Sequence, residues 1–235
     1  MTAPGAATLA LVLDRVPFGE RDLVMTLLTR ESGLVSAIAR SARGSRRFGG
    51  ALDLLVVLSV DVRARSSGLG SLRSAEAVRA FPGLFDSLER LEAGQAAIQL
   101  ARDLLRDAPA SPLTFDHAVD ALAAVEAAPA GAAHGPVLRF CLAVLSDIGH
   151  APALAACPRC RTPFAGTGAL VVDDGALLCP GCAGPGALAR LDASVLAYCA
   201  GEAVAVPPER GAALEALSAL VSATLGRTWR PAFSA

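Results

Sequence analysis

Hydrophobic positions change their period once along the chain, near residue 81. Before that point apolar residues come in short runs or alternate. Leu9-Ala-Leu-Val-Leu13 is a continuous run, and Leu23–Thr29 and Leu34–Ala39 flank the turn sequence Arg30-Glu-Ser-Gly33. Within Ala51–Arg63, Val56, Leu58, Val60 and Val62 alternate with Val57, Ser59, Asp61 and Arg63. Such alternation is what a strand with one buried face displays. Gly68–Gly70 marks a further turn, and Leu72–Val78 reads as a last strand. Short strands at this density, joined by Gly-containing turns, predict a small closed or partly open barrel, an SH3-like one included.

After Phe81-Pro-Gly83 the spacing becomes helical. Leu84, Leu88, Leu91, Ile98, Leu104 and Leu105 predict a helix over Leu84–Arg106. Ala108-Pro-Ala-Ser-Pro112 ends it and starts another, Leu113–Ala127. Pro129–Gly135 reads as a linker, and Val137–Ile148 as a third helix stopped by Gly149 and Pro152. Roughly 155–190 is a cysteine-rich insert, in which Val171–Leu178 reads as a hairpin around Asp174-Gly175. Two helices follow, Asp192–Cys199 with Asp192 as N-cap and Pro208–Leu225 with Pro in its first turn. The expected organisation is a β domain over 1–80 and a helical domain over 81–235 that carries the insert.

The insert holds the strongest local motif. Cys157-Pro-Arg-Cys160 and Cys179-Pro-Gly-Cys182 are separated by 18 residues, within the spacing of four-thiolate zinc sites. Each C-x2-C turn places two sulfurs on one side of a tight loop, and a hairpin folds one turn onto the other to complete a tetrahedron. A catalytic zinc keeps an open coordination position; four thiolates fill the shell. Cys157, Cys160, Cys179 and Cys182 are therefore expected to hold a structural Zn2+. Thiol redox chemistry would use one such pair in a strand–helix setting.

Charge changes the picture of the β region. All 21 basic residues are arginine, and the net charge of −1 conceals an asymmetry. Residues 1–80 hold 11 Arg against 7 Asp and Glu; residues 81–235 hold 10 Arg against 15. The densest cluster is Arg40-Ser-Ala-Arg43-Gly-Ser-Arg46-Arg47, with no acid between Glu31 and Asp53. Guanidinium groups fork onto phosphate oxygens. Between two barrel strands, Arg40, Arg43, Arg46 and Arg47 point to a polyanion, with Arg63, Arg65 and Arg73 extending the surface; the alternative is a solvated basic loop. Residues 1–80 contain Phe18 and Phe48 but no Tyr or Trp. Extensive base stacking is thereby excluded, and binding is expected to be electrostatic and salt-dependent.

Several classes of function are disfavoured. With no lysine and no G-x4-G-K-[ST] loop, nucleotide hydrolysis has no cradle. His117, His134 and His150 read as surface or boundary residues without a nucleophile–base pairing, and Cys141 and Cys199 as core thiols. Trp229, between Arg227 and Arg230, reads either as part of a second nucleic-acid contact or, more simply, as packing on the helical core. The run Ala6–Leu13 has no basic segment before it, and the longest uncharged stretch, Gly175–Ala189, contains Gly, Pro and two Cys. Neither a secretion signal nor a membrane span is expected, so the chain reads as cytoplasmic.

Val12-Leu-Asp-Arg-Val-Pro-Phe-Gly-Glu-Arg-Asp-Leu-Val24, Leu27-Leu-Thr-Arg-Glu-Ser-Gly-Leu-Val35 and the arginine cluster resemble the N-terminal part of the RecO family of bacterial DNA repair proteins. The likeness continues through Leu69-Gly-Ser-Leu72, Ala75-Glu76, the four cysteines and Leu225-Gly-Arg227. The resemblance implies an α+β multidomain fold: an N-terminal OB-fold β-barrel, then an α-helical domain with an inserted four-cysteine zinc ribbon. It implies a non-enzymatic recombination mediator of the RecF pathway that binds single- and double-stranded DNA and anneals complementary strands. Its implied partners are single-strand-binding protein (SSB), RecR and, indirectly, RecA, with a nucleoid-associated location. The cluster here is all Arg where relatives often mix in Lys. A zinc-stabilised RNA-binding or protein-adaptor module is the alternative reading.

Overall fold

The computed structural model describes residues 7–43, 48, 52–63, 68–164, 170–173, 175–184, 188–202 and 205–232. Five strands, β1 (Thr8–Phe18), β2 (Asp22–Thr29), β3 (Gly33–Ala39), β4 (Val56–Arg63) and β5 (Gly70–Ala80), close into a barrel in the order β1-β2-β3-β5-β4. This is the OB-like barrel that the resemblance implies. The closing contact is the parallel pairing of β3 with β5, where Ala37 faces Gly70. A Cβ on Gly70 would stand 3.1 Å from the Arg63 carbonyl oxygen and 3.4 Å from that of Ser36. Glycine lets the backbones approach at that seam.

β1 explains why its apolar run is continuous rather than alternating. Ala10 and Val12 point into the barrel with Met25, Leu27, Ala37, Leu58 and Val60. Leu11 and Leu13 point outward, into a second core shared with the helices. The strand is buried on both faces, a pattern that reads as uninterrupted hydrophobicity. A register shift between Val12 and Asp14 leaves Leu13 unopposed in β2, and β1 then continues to Phe18, five residues past the apolar run. Pairing with β2, not burial, sustains that extension. β4 begins at Val56, later than its sequence pattern, because Leu55 takes a left-handed backbone (φ +62°) and turns its side chain to the helices; Ala51 lies outside the described residues.

A turn of 3-10 helix, Pro82–Phe85, precedes α1 (Leu88–Leu104), whose N-cap Ser87 accepts the Arg90 N–H at 3.2 Å. The pattern from Leu84 therefore spans a turn and a helix. α2 (Pro112–Ala127) and α3 (His134–Asp147) follow. The segment expected to be linker up to Gly135 gives its last two residues to α3. The cysteine region contributes β6 (Leu170–Asp173), β7 (Ala176–Leu178) and β8 (Ala189–Leu191) in the order β7-β6-β8. Asp173 faces Ala176 across the expected hairpin, and Gly175 has φ +79°. β8 was not expected; three residues carry too little pattern. α4 (Ala193–Cys199) has Asp192 at its N-cap, without a side-chain capping bond. α5 (Arg210–Leu225) starts after Pro208 rather than on it, and Gly226 closes it in the left-handed conformation.

The barrel docks on the helices through Leu11, Leu13, Leu28, Leu55 and Val57, packed with Leu84, Leu100, Leu104 and Phe115. Each such side chain contributes roughly 2 kcal/mol relative to standing in water. Gly94 of α1 makes the approach close: a Cβ there would be 3.3 Å from Leu84 Cδ1 and 3.4 Å from Leu55 Cδ1. Polar ties frame the contact. Arg30 donates to both carboxylate oxygens of Asp116, at 3.0 and 2.9 Å, and Arg102 donates to Asp14 at 2.8 Å. The cysteine region is part of the helical core as well, since Cys157, Phe164, Val172, Leu177 and Leu191 share it with Leu217, Leu220 and Val221 of α5. No helix among the described residues is long and apolar enough to cross a membrane.

Candidate functional site

Two local devices bring the cysteines together. In the first turn the Arg161 N–H donates to the Cys157 carbonyl at 2.7 Å and the Cys157 N–H to the Thr162 carbonyl at 2.9 Å. Arg161 itself adopts φ +63°, which costs a non-glycine residue about 1 kcal/mol. In the second, the Cys182 and Ala183 N–H groups donate to the Cys179 carbonyl at 2.9 and 3.1 Å. The Arg159 guanidinium donates to the Cys182 carbonyl and ties one turn to the other.

All four Sγ atoms lie within 4.8 Å of one another, with Cys160 and Cys179 at 3.5 Å. A tetrahedron with metal–sulfur bonds of about 2.3 Å has sulfur–sulfur edges of about 3.8 Å. The four sulfurs thus fit a metal ion with little movement. Their protons are already unequal. Backbone N–H groups, that of Cys179 foremost, hold the Cys157 thiol down to about 6. The Thr162 hydroxyl, 3.2 Å from Cys160 Sγ, lowers Cys160. The neighbouring Cys160 and Cys179 thiols push Cys182 up to about 12. Adding negative charge to so small a volume becomes harder with each proton lost, and a cation at the centre removes that penalty.

On the barrel, strand register decides which arginines meet. Leu23 faces Ala39, Ala37 faces Gly70, and Ser71 faces Arg63. The β1–β2 turn, the end of β3, the start of β5 and the end of β4 therefore form one rim. Arg40, Arg43 and Arg63 are exposed on it, joined by Arg21 from the β1–β2 turn. The start of the arginine cluster is anchored there: the Arg43 N–H donates to the Arg21 carbonyl at 2.9 Å, and the Ser41 N–H to Asp22 Oδ1 at 2.7 Å. Arg73 is exposed two residues beyond Ser71. Arg46, Arg47 and Arg65 lie outside the described residues. Arg15, by contrast, is engaged by Asp53 and the Leu52 carbonyl.

The family models place the whole arrangement. One, described as Recombination protein O N terminal, matches residues 6–81, and one described as Recombination protein O C terminal matches residues 86–231. The chain belongs to the Recombination protein O family. A DNA repair protein RecO of Anaeromyxobacter dehalogenans strain 2CP-C is 43% identical over 234 residues, covering 92% of this chain and 90% of that protein. Proteins of the same name from Pelobacter propionicus and Geobacter sulfurreducens are 36% and 35% identical, over 75% and 93% of this chain and 72% and 92% of theirs.

The remaining candidate residues of this Recombination protein O chain are mostly structural. Trp229 is 2% exposed and donates its indole N–H to Asp103 at 2.8 Å. Cys141 is fully buried and Cys199 half-buried; burial pushes the first thiol up and the second up to about 12. His134 corrects the sequence reading. It is 2% exposed inside the first turn of α3, and its Nδ1 has no hydrogen-bond partner among the described residues. Burial, aided by Arg210, lowers its pKa and so favours the neutral ring. His117 Nδ1 lies 3.4 Å from Asp147, a neighbour that sequence separation hid. The Thr114 hydroxyl donates to the same carboxylate at 2.9 Å, so it is bonded to Asp147 and not to the imidazole.

Proposed function

We propose that this chain acts in DNA repair as a DNA-binding recombination mediator with no catalytic chemistry of its own. The observation that carries the reading is the rim on which Arg21, Arg40, Arg43 and Arg63 converge from separate barrel segments, in a member of a family whose relatives bear the name of DNA repair proteins. Arg46, Arg47 and Arg65 extend the same surface by sequence. The proposed action is strand annealing. Two DNA strands repel each other through their phosphates, and cations that screen phosphates without gripping base edges leave the bases free to pair. Single- and double-stranded DNA are the ligands, and SSB, RecR and, through them, RecA are the partners in a cytoplasmic, RecF-type pathway. The metal is proposed to be a structural Zn2+ on Cys157, Cys160, Cys179 and Cys182. Residues 1–80 act as the DNA-binding domain and 81–235 as the helical domain.

Annealing of complementary strands coated with SSB, with and without RecR, tests the activity directly. Acceleration by this chain is expected, and its absence overturns the reading. For the surface, Arg40→Glu with Arg43→Glu is expected to weaken DNA binding roughly tenfold or more and to flatten the dependence of log K on log salt by about 0.7–0.9 per lost phosphate contact. Equal affinity and slope in parent and variant would remove the rim from the mechanism. Stronger binding of structured RNA than of DNA at the same salt would favour the RNA-binding alternative.

A further inference from the structure

Of the two aromatic residues in 1–80, Phe48 is 2% exposed whereas Phe18 is 55% exposed. Phe18 ends β1, next to the left-handed Gly19 (φ +63°) that turns the hairpin. It is not an isolated apolar residue. Val16 and Phe18 share one face of β1, and their partners Val24 and Asp22 share that face on β2. Val24 in turn faces Ile38 on β3. Further along, this outer face of the barrel packs against the helices through Leu11 and Leu28. At the hairpin end it is uncovered, with Val16 at 52% exposure.

Arginines come to this uncovered end alongside Glu20 and Asp22, and the Asp22 carboxylate accepts the Ser41 N–H at 2.7 Å. The Arg43 guanidinium donates to the Gly19 carbonyl at 3.4 Å, within one residue of Phe18. Arg21 follows in the turn, and Arg40 stands one residue beyond the Ala39–Leu23 pair, level with Asp22 and hence with Phe18. An exposed aromatic side chain with the Arg43 guanidinium at the neighbouring Gly19 carbonyl, and Arg21 and Arg40 on adjoining segments, suits a ligand that is at once aromatic and anionic. A DNA duplex hides the faces of its bases in its own stack; an unpaired strand presents them.

We infer that Phe18 is a base-stacking residue and that the β1–β2 hairpin tip is a single-stranded DNA subsite, with Arg21, Arg40 and Arg43 taking the flanking phosphates. The inference rests on the DNA-binding reading above and narrows it. One platform holds one base, so the rest of the strand stays free to pair, and the rim gains a preference for unpaired DNA that charge alone would not supply.

The test is fluorescence anisotropy with the full chain, using oligo-dT and a duplex of equal length over a salt series. Phe18→Ala is expected to weaken single-strand binding roughly tenfold, with the salt slope and duplex affinity unchanged. Phe18→Trp is expected to bind like the parent and to show its added indole emission quenched by oligo-dT. Arg40→Glu with Arg43→Glu is expected to weaken both ligands and flatten the slope. If Phe18→Ala binds oligo-dT like the parent while the arginine variant fails, the stacking inference falls and the DNA-binding reading stands. If neither variant changes binding, both fall. Equal losses on oligo-dT and duplex, or an emission of the Phe18→Trp variant that is blind to DNA, would also overturn the stacking role.

Discussion

At the cysteine cluster four thiols lie within 4.8 Å of one another, whereas the rim arginines stand on separate segments of the barrel and reach into solvent. The first arrangement gathers groups that repel once ionised, and a cation at its centre would relieve that repulsion. The second spreads fixed charges around a surface, where on the proposed reading a polyanion outside the protein would meet them. The difference teaches where each can fail. A missing thiolate would leave a bound cation one ligand short and loosen a region packed on α5. A missing arginine removes a share of a distributed field and leaves the barrel fold intact.

The largest effect expected from this contrast is at the cluster. Cys182→Ser should lose its metal and several kcal/mol of stability, read by elemental analysis and thermal melting. A variant that keeps stoichiometric metal, or melts with the parent, would break the contrast at once. Next comes the seam between barrel and helices. Gly33 has φ +64°, and a Cβ on it would lie 3.1 Å from Ala110 Cα. Gly33→Ala should cost roughly 2 kcal/mol, or about 4–8 °C in Tm. Gly19→Ala, with φ +63° but nothing within 4 Å of its Cβ, should cost visibly less. Equal losses would mean that the docking contact contributes nothing.

The smallest expected effect sharpens the electrostatic side. The hydrogen bond from Arg30, and then its charge, hold the Asp116 carboxyl below its ordinary value of 3.8. A carboxyl lowered on folding stabilises the protein above the unfolded value and ceases to do so as pH falls through the folded one. Asp116→Asn should therefore melt slightly below the parent at pH 7, and the gap should close below about pH 4. The pair is exposed, so the gap at pH 7 should be slight. A gap that stays constant down to about pH 2, below the carboxylate range, would show that packing, not charge, is at work.

What the sequence made legible was set by local spacing. The two C-x2-C turns, the alternation of Leu58 and Val60, and the helical recurrence in α1 to α3 each carry their signal within one or two turns of chain. What remained hidden depends on pairing at a distance. The continuation of β1 through Phe18 rests on β2, β8 is recognised only against β6, and the charges that act on the buried His134, those of Arg210, Glu89 and Glu92, come from distant parts of the chain. The arginines were visible as a cluster, but only the Leu23–Ala39, Ala37–Gly70 and Ser71–Arg63 registers bring Arg21 and Arg63 to the same rim as Arg40 and Arg43. Phe18 and Phe48 look alike in sequence, and burial alone separates them.

β1 has a consequence for how reliably the chain finds its fold. Ala10 and Val12 fill one interior while Leu11 and Leu13 fill another. A slip of one residue would exchange the two sets. It would force leucines into the space of an alanine and a valine, and leave voids where leucines belong. Both errors would appear together, so the strand's register is proofread by two independent volumes. The correct alignment is thus favoured both by barrel closure and by helix docking.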